Sequence, residues 1–131
     1  MRGPMRFPLF SGRTMHEMSI AQSILQMAEE HMARHGCSRL EKVSVTYGAL
    51  SGIVPESLQF CFEAMVRDTA HQGARLELVE LPLRLRCHAC EHVFGGNGQE
   101  ALWQACPQCG EEFGHTVEQG KECYLNSIEA G

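Results

Sequence analysis

Four cysteines carry the clearest chemistry in this sequence. Cys87 and Cys90 stand in "CHAC" and Cys106 and Cys109 in "CPQC", with fifteen residues between the two pairs. Two residues between cysteines let a tight turn aim both thiolates at one ion, and the distance between the pairs is that of a structural zinc site. The second turn adds Pro107, which fixes φ, and Gly110, which tolerates a positive φ. Four thiolates suit tetrahedral zinc or a single iron, so a rubredoxin-like iron carrier shares this donor set. Disulfides are the remaining reading. The chain opens on no secretory signal, which argues for a reducing compartment and against them.

The other cysteines, Cys37, Cys61 and Cys123, are scattered and read as structural, Cys61 within the apolar run "LQFCFEAM". His88 and His92 flank the first knuckle and are expected to face solvent, since four cysteines already complete a ligand set. His31 and His35 are four apart and share a helix face. They are read as solvated near a helix C-terminus, where a protonated imidazole complements the dipole. His71 and His115 have no ligand-like spacing. A second place for chemistry is "RTMHEMSIAQ", residues 13–22, where Met15, His16 and Glu17 precede the first helical pattern. Taken alone, a single histidine in such a segment is ordinarily just hydrated.

The elements that must position these groups follow from periodicity. Ile20, Ile24, Met27, Ala28 and Met32 recur at helical spacing and Gly36 supplies a stop, predicting a helix over 19–35. "LEKVSVTYGAL" alternates through Val43, Val45 and Tyr47 as a strand. Pro55 opens a second helix whose buried face is Leu58, Cys61, Phe62, Met65 and Val66. From Arg75 the chain is extended, and its apolar parity shifts from Leu76 and Leu78 to Leu81, Leu83 and Leu85. With Pro82 at the break, this predicts a kink where the first sheet hands over to the metal module. Gly95, Gly96 and Gly98 form a loop in that module, and "ALWQ" is expected to return as a short strand. The tail "ECYLNSIEA" is expected to rejoin the first sheet beside the strand of Leu76 and Leu78. The cysteine module is thus an insertion before the last strand of one α/β domain.

Composition narrows the function classes. The chain has 131 residues, 44% apolar and 21% charged, and a formal net charge of -5. There is no basic stripe for phosphate contacts, and residues 85–117 carry Arg86 alone against Glu91, Glu100, Glu111 and Glu112, so a nucleic-acid-binding zinc ribbon is disfavoured. No apolar run approaches a membrane span. No phosphate loop, nucleophile elbow or H-E-x-x-H motif is present, so an enzyme is not expected.

"MHEMSIAQSIL", then "KVSVTYGALSGIVPESLQFCFEAM", "ARLELVE", "CHACEHVF" and "CPQCG", in that order, resemble the HypA/HybF family of hydrogenase nickel-incorporation proteins across residues 15–131. The resemblance implies a cytoplasmic two-part metallochaperone of α+β class. Its nickel domain, a three-stranded sheet with two helices, would occupy 15–84 and 118–131. A zinc module held by Cys87, Cys90, Cys106 and Cys109 would occupy 85–117. It further implies Ni(II) as cargo at His16, with the backbone and carboxylate of Glu17 as a weaker contributor and the amine of Met15 as a donor. A HypB-type GTPase and the nickel-iron hydrogenase large subunit are the implied partners, with urease as a further recipient in some members. Residues 1–14 depart from the family pattern. They carry Arg2, Arg6 and Arg13, no acidic residue and no clear period, and are expected to be a flexible extension ahead of a working amino terminus at Met15.

Overall fold

The computed structural model describes the backbone of residues 2–8 and the whole of residues 17–131. Helix α1, Glu17–Arg34, buries Ile20, Ala21, Ile24, Ala28 and Met32 on one face, the stripe expected from spacing of three and four. Gly36 ends it at φ +69, and the Cys37 N–H donates back to the Met32 carbonyl at 3.0 Å, closing the last turn. Helix α2, Pro55–Val66, starts on a proline whose missing N–H costs nothing at that position, and buries Leu58, Phe62 and Val66.

Both helices cover one face of a sheet in the order β1-β7-β2-β3, where β1 is Arg2–Pro8, β2 is Leu40–Gly48, β3 is Arg75–Leu81 and β7 is Cys123–Ala130. Strands β2 and β3 are parallel, as a crossover through α2 requires, and β7 runs antiparallel to β2. Val43 and Val45 of β2, Leu76 of β3, and Leu125 and Ile128 of β7 meet Ile20, Ile24, Leu58 and Phe62 in the main core. Strands β7, β2 and β3 are the three expected. A second sheet, order β5-β4-β6, is built from β4 (Leu83–Arg86), β5 (Val93–Gly96) and β6 (Thr116–Gln119). Leu83, Leu85 and Phe94 fill its small core together with Cys87 and Cys106. The parity shift at Pro82 is real: β3 ends at Leu81 and β4 begins at Leu83 in the other sheet.

Three expectations need correction. The tail pairs with β2, on the side away from β3. Where it returns from the second sheet, the Leu50 N–H donates to Gly120 O at 2.6 Å and the Gly48 N–H to Glu122 O at 2.7 Å, which delivers the tail alongside the end of β2. Residues 99–103, around "ALWQ", form a 3-10 turn instead of a strand. Ala101 and Leu102 pack on the small core while Trp103 stands 80% exposed, a one-sided pattern without strand alternation. Lastly, the segment expected to be a flexible extension contains β1, which pairs antiparallel with β7 and adds a fourth strand. Backbone pairing to an edge needs no apolar period, and an edge strand tolerates Pro4.

Candidate metal centre

Two knuckles with the same backbone plan hold the cysteines. In the first, the Cys87 N–H donates to His92 O and the Glu91 N–H to Cys87 O, both at 2.9 Å. In the second, the Cys106 N–H donates to Glu111 O at 2.9 Å and the Gly110 N–H to Cys106 O at 2.8 Å. Each turn passes through a positive φ four residues after its first cysteine, at Gly110 (φ +81) and at Glu91 (φ +63). The first knuckle follows β4 directly, so the small sheet anchors it. The second hangs from the long connection between the 3-10 turn and β6.

The thiols converge. Cys87 Sγ lies 3.5 Å from Cys109 Sγ, Cys90 Sγ 3.6 Å from Cys106 Sγ, and all four lie within 4.8 Å of one another. Zn–S bonds of about 2.3 Å in a tetrahedron place sulfur atoms about 3.8 Å apart, so the cage fits a single zinc-sized ion. Cys87 and Cys106 are buried, whereas Cys109 is exposed. The Ala89 N–H donates to Cys87 Sγ at 3.4 Å, offsetting charge on that sulfur. Burial pushes the Cys106 thiol up, but the Cys109 and Gln108 N–H groups and the neighbouring thiols outweigh it and leave it at about 7. Cys90, despite a backbone N–H from His92, is pushed up to about 12 by burial and by the three other thiols. Four thiolates this close repel one another, and a bound cation relieves that repulsion.

The histidines of the module are more engaged than expected. His88 Nε2 lies 3.7 Å from a Glu111 carboxylate oxygen, and its side chain is half exposed. His92 stacks parallel to Phe94 at 6.4 Å between centroids. His115, which spacing did not single out, places Nε2 2.9 Å from Glu111 O and meets Phe94 edge-on at 5.0 Å. Its Nδ1 is buried without a hydrogen-bond partner among the described residues. Cys123 faces the main core, where burial pushes its thiol up to about 12, as suits an inert apolar side chain.

Met15 and His16 lie outside the described residues. Glu17 is the first residue of α1, and with Met18 it borders a shallow hollow whose far side is Glu56, Ser57, Phe60 and Cys61 of α2. The acid at the helix N-terminus complements the dipole. Among the described residues no helix is long and apolar enough to cross a membrane.

These features define a two-part metalloprotein, a helix-covered α/β sheet joined to a small sheet that carries a four-thiol cage. Residues 15–130 match the family described as "Hydrogenase/urease nickel incorporation, metallochaperone, hypA", and the chain belongs to that family. It is 45% identical over 115 residues to the hydrogenase maturation factor HypA of Solidesulfovibrio magneticus, an overlap covering 88% of this chain and 98% of the relative. The solution structure of the nickel metallochaperone HypA from Helicobacter pylori superimposes with a TM-score of 0.58 at 27% identity, covering 88% of this chain and 97% of that one. A further HypA solution structure gives 0.63 at 28% identity, covering 90% and 98%.

Proposed function

We propose that this chain carries Ni(II) for the maturation of nickel-iron hydrogenase, binding its cargo through His16 and keeping a structural Zn(II) on Cys87, Cys90, Cys106 and Cys109. The observation that carries the reading is the family match over residues 15–130, which begins on Met15, His16 and Glu17. An amine, deprotonated backbone amides and an imidazole form fused chelate rings in one plane, an array that suits Ni(II) or Cu(II) and disfavours tetrahedral zinc. The Met15 nitrogen, the His16 imidazole and the backbone of His16 and Glu17 supply these donors, and the Glu17 carboxylate serves as a hydrogen-bonding support. The donors must lose protons to bind, so nickel leaves as pH falls. Copper binds such a set more tightly than nickel, and metal supply and partners therefore contribute to selectivity.

The carrier has no phosphate loop, and a HypB-type GTPase would provide the nucleotide-dependent step in the cytoplasm. The hydrogenase large subunit is the recipient, and the family description extends the possible recipients to urease. Nickel titration of zinc-loaded protein tests the reading. His16→Ala should abolish the tightest nickel site, and protein beginning at Met15 should bind nickel more tightly than protein beginning at Met1. Retention of the tight site in His16→Ala overturns the assignment of His16, and equal affinities of the two forms remove the amine from the ligand set. Metal analysis should return one zinc per chain in colourless protein; a red iron protein would refute the zinc assignment.

A further inference from the structure

Residues four apart on a helix stand one above the other, and α1 ends with such a pair of histidines. His31 lies in its last turn and His35 directly follows Arg34, held by an N–H bond to Met32 O at 3.0 Å. Their ring centroids are 4.6 Å apart and the planes are tilted by 47°. With metal–nitrogen bonds of about 2.1 Å and ring centres roughly 1.1 Å behind the nitrogens, two imidazoles bound at right angles have centroids about 4.5 Å apart, close to the separation seen.

Among the described residues, nothing occupies the ring nitrogens of His31 and His35. The Leu40 N–H occupies His71 Nδ1 at 3.0 Å, Glu111 O engages His115, and Glu111 faces His88. Neither imidazole ring, that of His31 or that of His35, has a hydrogen-bond or ion-pair partner among the described residues. His31 borders an open hollow of about 160 Å³ with Met27, Glu30 and Arg34. Burial, then the charges of His35 and Arg34, hold the His31 imidazole below its ordinary range.

We propose that His31 and His35 form a second nickel site, a two-imidazole chelate on the last turn of α1 whose remaining positions are filled by water. The helix rises about 1.5 Å per residue, so His31 stands about 21 Å from Glu17 and one ion cannot touch both ends. Two protein ligands make this site weaker and faster to exchange than a fused amine–amide–imidazole chelate. Arg34 opposes the bound charge and Glu30 offsets it. Nickel can therefore collect at the end of the helix remote from the amino terminus.

The test is equilibrium dialysis of zinc-loaded full-length protein against nickel sulfate near pH 7.5, with His16→Ala as the background. That variant should retain one weak equivalent of nickel. Adding His31→Ala or His35→Ala should weaken it roughly tenfold or more, because the second imidazole is then no longer presented at high effective concentration. Adding His88→Ala should change nothing. Both substitutions lie at an accessible helix end, and unchanged circular dichroism verifies the fold. Nickel broadening of amide resonances should centre on residues 27–37. The proposal is overturned if the triple variant His16→Ala/His31→Ala/His35→Ala binds nickel as His16→Ala does, if His16→Ala binds none, or if broadening centres on the cysteine module. Failure of the amino-terminal site reads differently: binding would survive His16→Ala at full strength.

Discussion

Gly48→Ala probes the joint between the two sheets. A Cβ on Gly48 would sit 2.1 Å from Gly120 O, 2.2 Å from its carbonyl carbon and 2.7 Å from its Cα. All three are backbone atoms, so no rotamer change relieves the overlap, and Gly120 must retreat by about 1 Å before the contact is even tight. That retreat pulls on the two bonds that seat the returning chain, Leu50 N–H to Gly120 O and Gly48 N–H to Glu122 O. Overpacking of this kind costs about 1–3 kcal/mol, and a compromised buried backbone bond about 1 kcal/mol more. The expected loss is about 3 kcal/mol by urea unfolding, against about 1 kcal/mol for Gly36→Ala. Gly36 is a fair control because it has a positive φ but nothing within 4 Å of its Cβ position. Bound metal should stay unchanged, because each knuckle closes on its own backbone bonds. A Gly48→Ala protein within about 0.5 kcal/mol of wild type would refute the close-approach argument.

Removing metal with a chelator, or substituting Cys87→Ala, should expose the amides of β4, β5 and β6 to rapid hydrogen exchange while α1 and β2 stay protected; among the described residues, Leu83, Leu85 and Phe94 are the small sheet's only large buried side chains. Gly110→Ala should destabilise the module by about 1 kcal/mol, whereas Glu91→Gly at the matching position of the other knuckle should be neutral or stabilising by up to about 1 kcal/mol, read as a shift in its thermal midpoint. The Glu77 carboxyl is held below its ordinary range by hydrogen bonds from Lys42 and Ser44, so its contribution to stability is present above the ordinary carboxylate range and is lost as pH falls through the folded value. Lys42→Met should raise the Glu77 titration midpoint followed by carboxyl NMR, and an unmoved midpoint would discount the ion pair.

Local features of the sequence were legible because their physics is local. The four cysteines lie where knuckle spacing placed them, and the helix stripes around Ile24 and Phe62 are buried as their period required. The break at Pro82 was visible as a parity shift. The last strand was harder to read. Its buried residues Cys123 and Leu125 share one parity and Ile128 and Ala130 the other, because a bulge at Asn126 lets both pairs face the helices. A bulge is stabilised by its partner strand and leaves little mark in the residues that form it. The expectation that β7 would lie beside β3 failed for a similar reason, since its place depends on where Gly120 meets Gly48.

The sequence by itself determined the donor set, the helix faces and the family, because ligand type, turn chemistry and periodicity are fixed by residues a few positions apart. Only the tertiary structure decided that Glu91 does in one knuckle what Gly110 does in the other, that the tail closes against β2, and that His115 and Glu111 brace the cage. It also decided that the paired imidazoles at the end of α1 have no hydrogen-bond or ion-pair partner among the described residues. The tail's place depends on contacts between segments far apart in the chain, and the others on backbone conformation and side-chain placement, where packing selects among arrangements that residue spacing alone leaves equal.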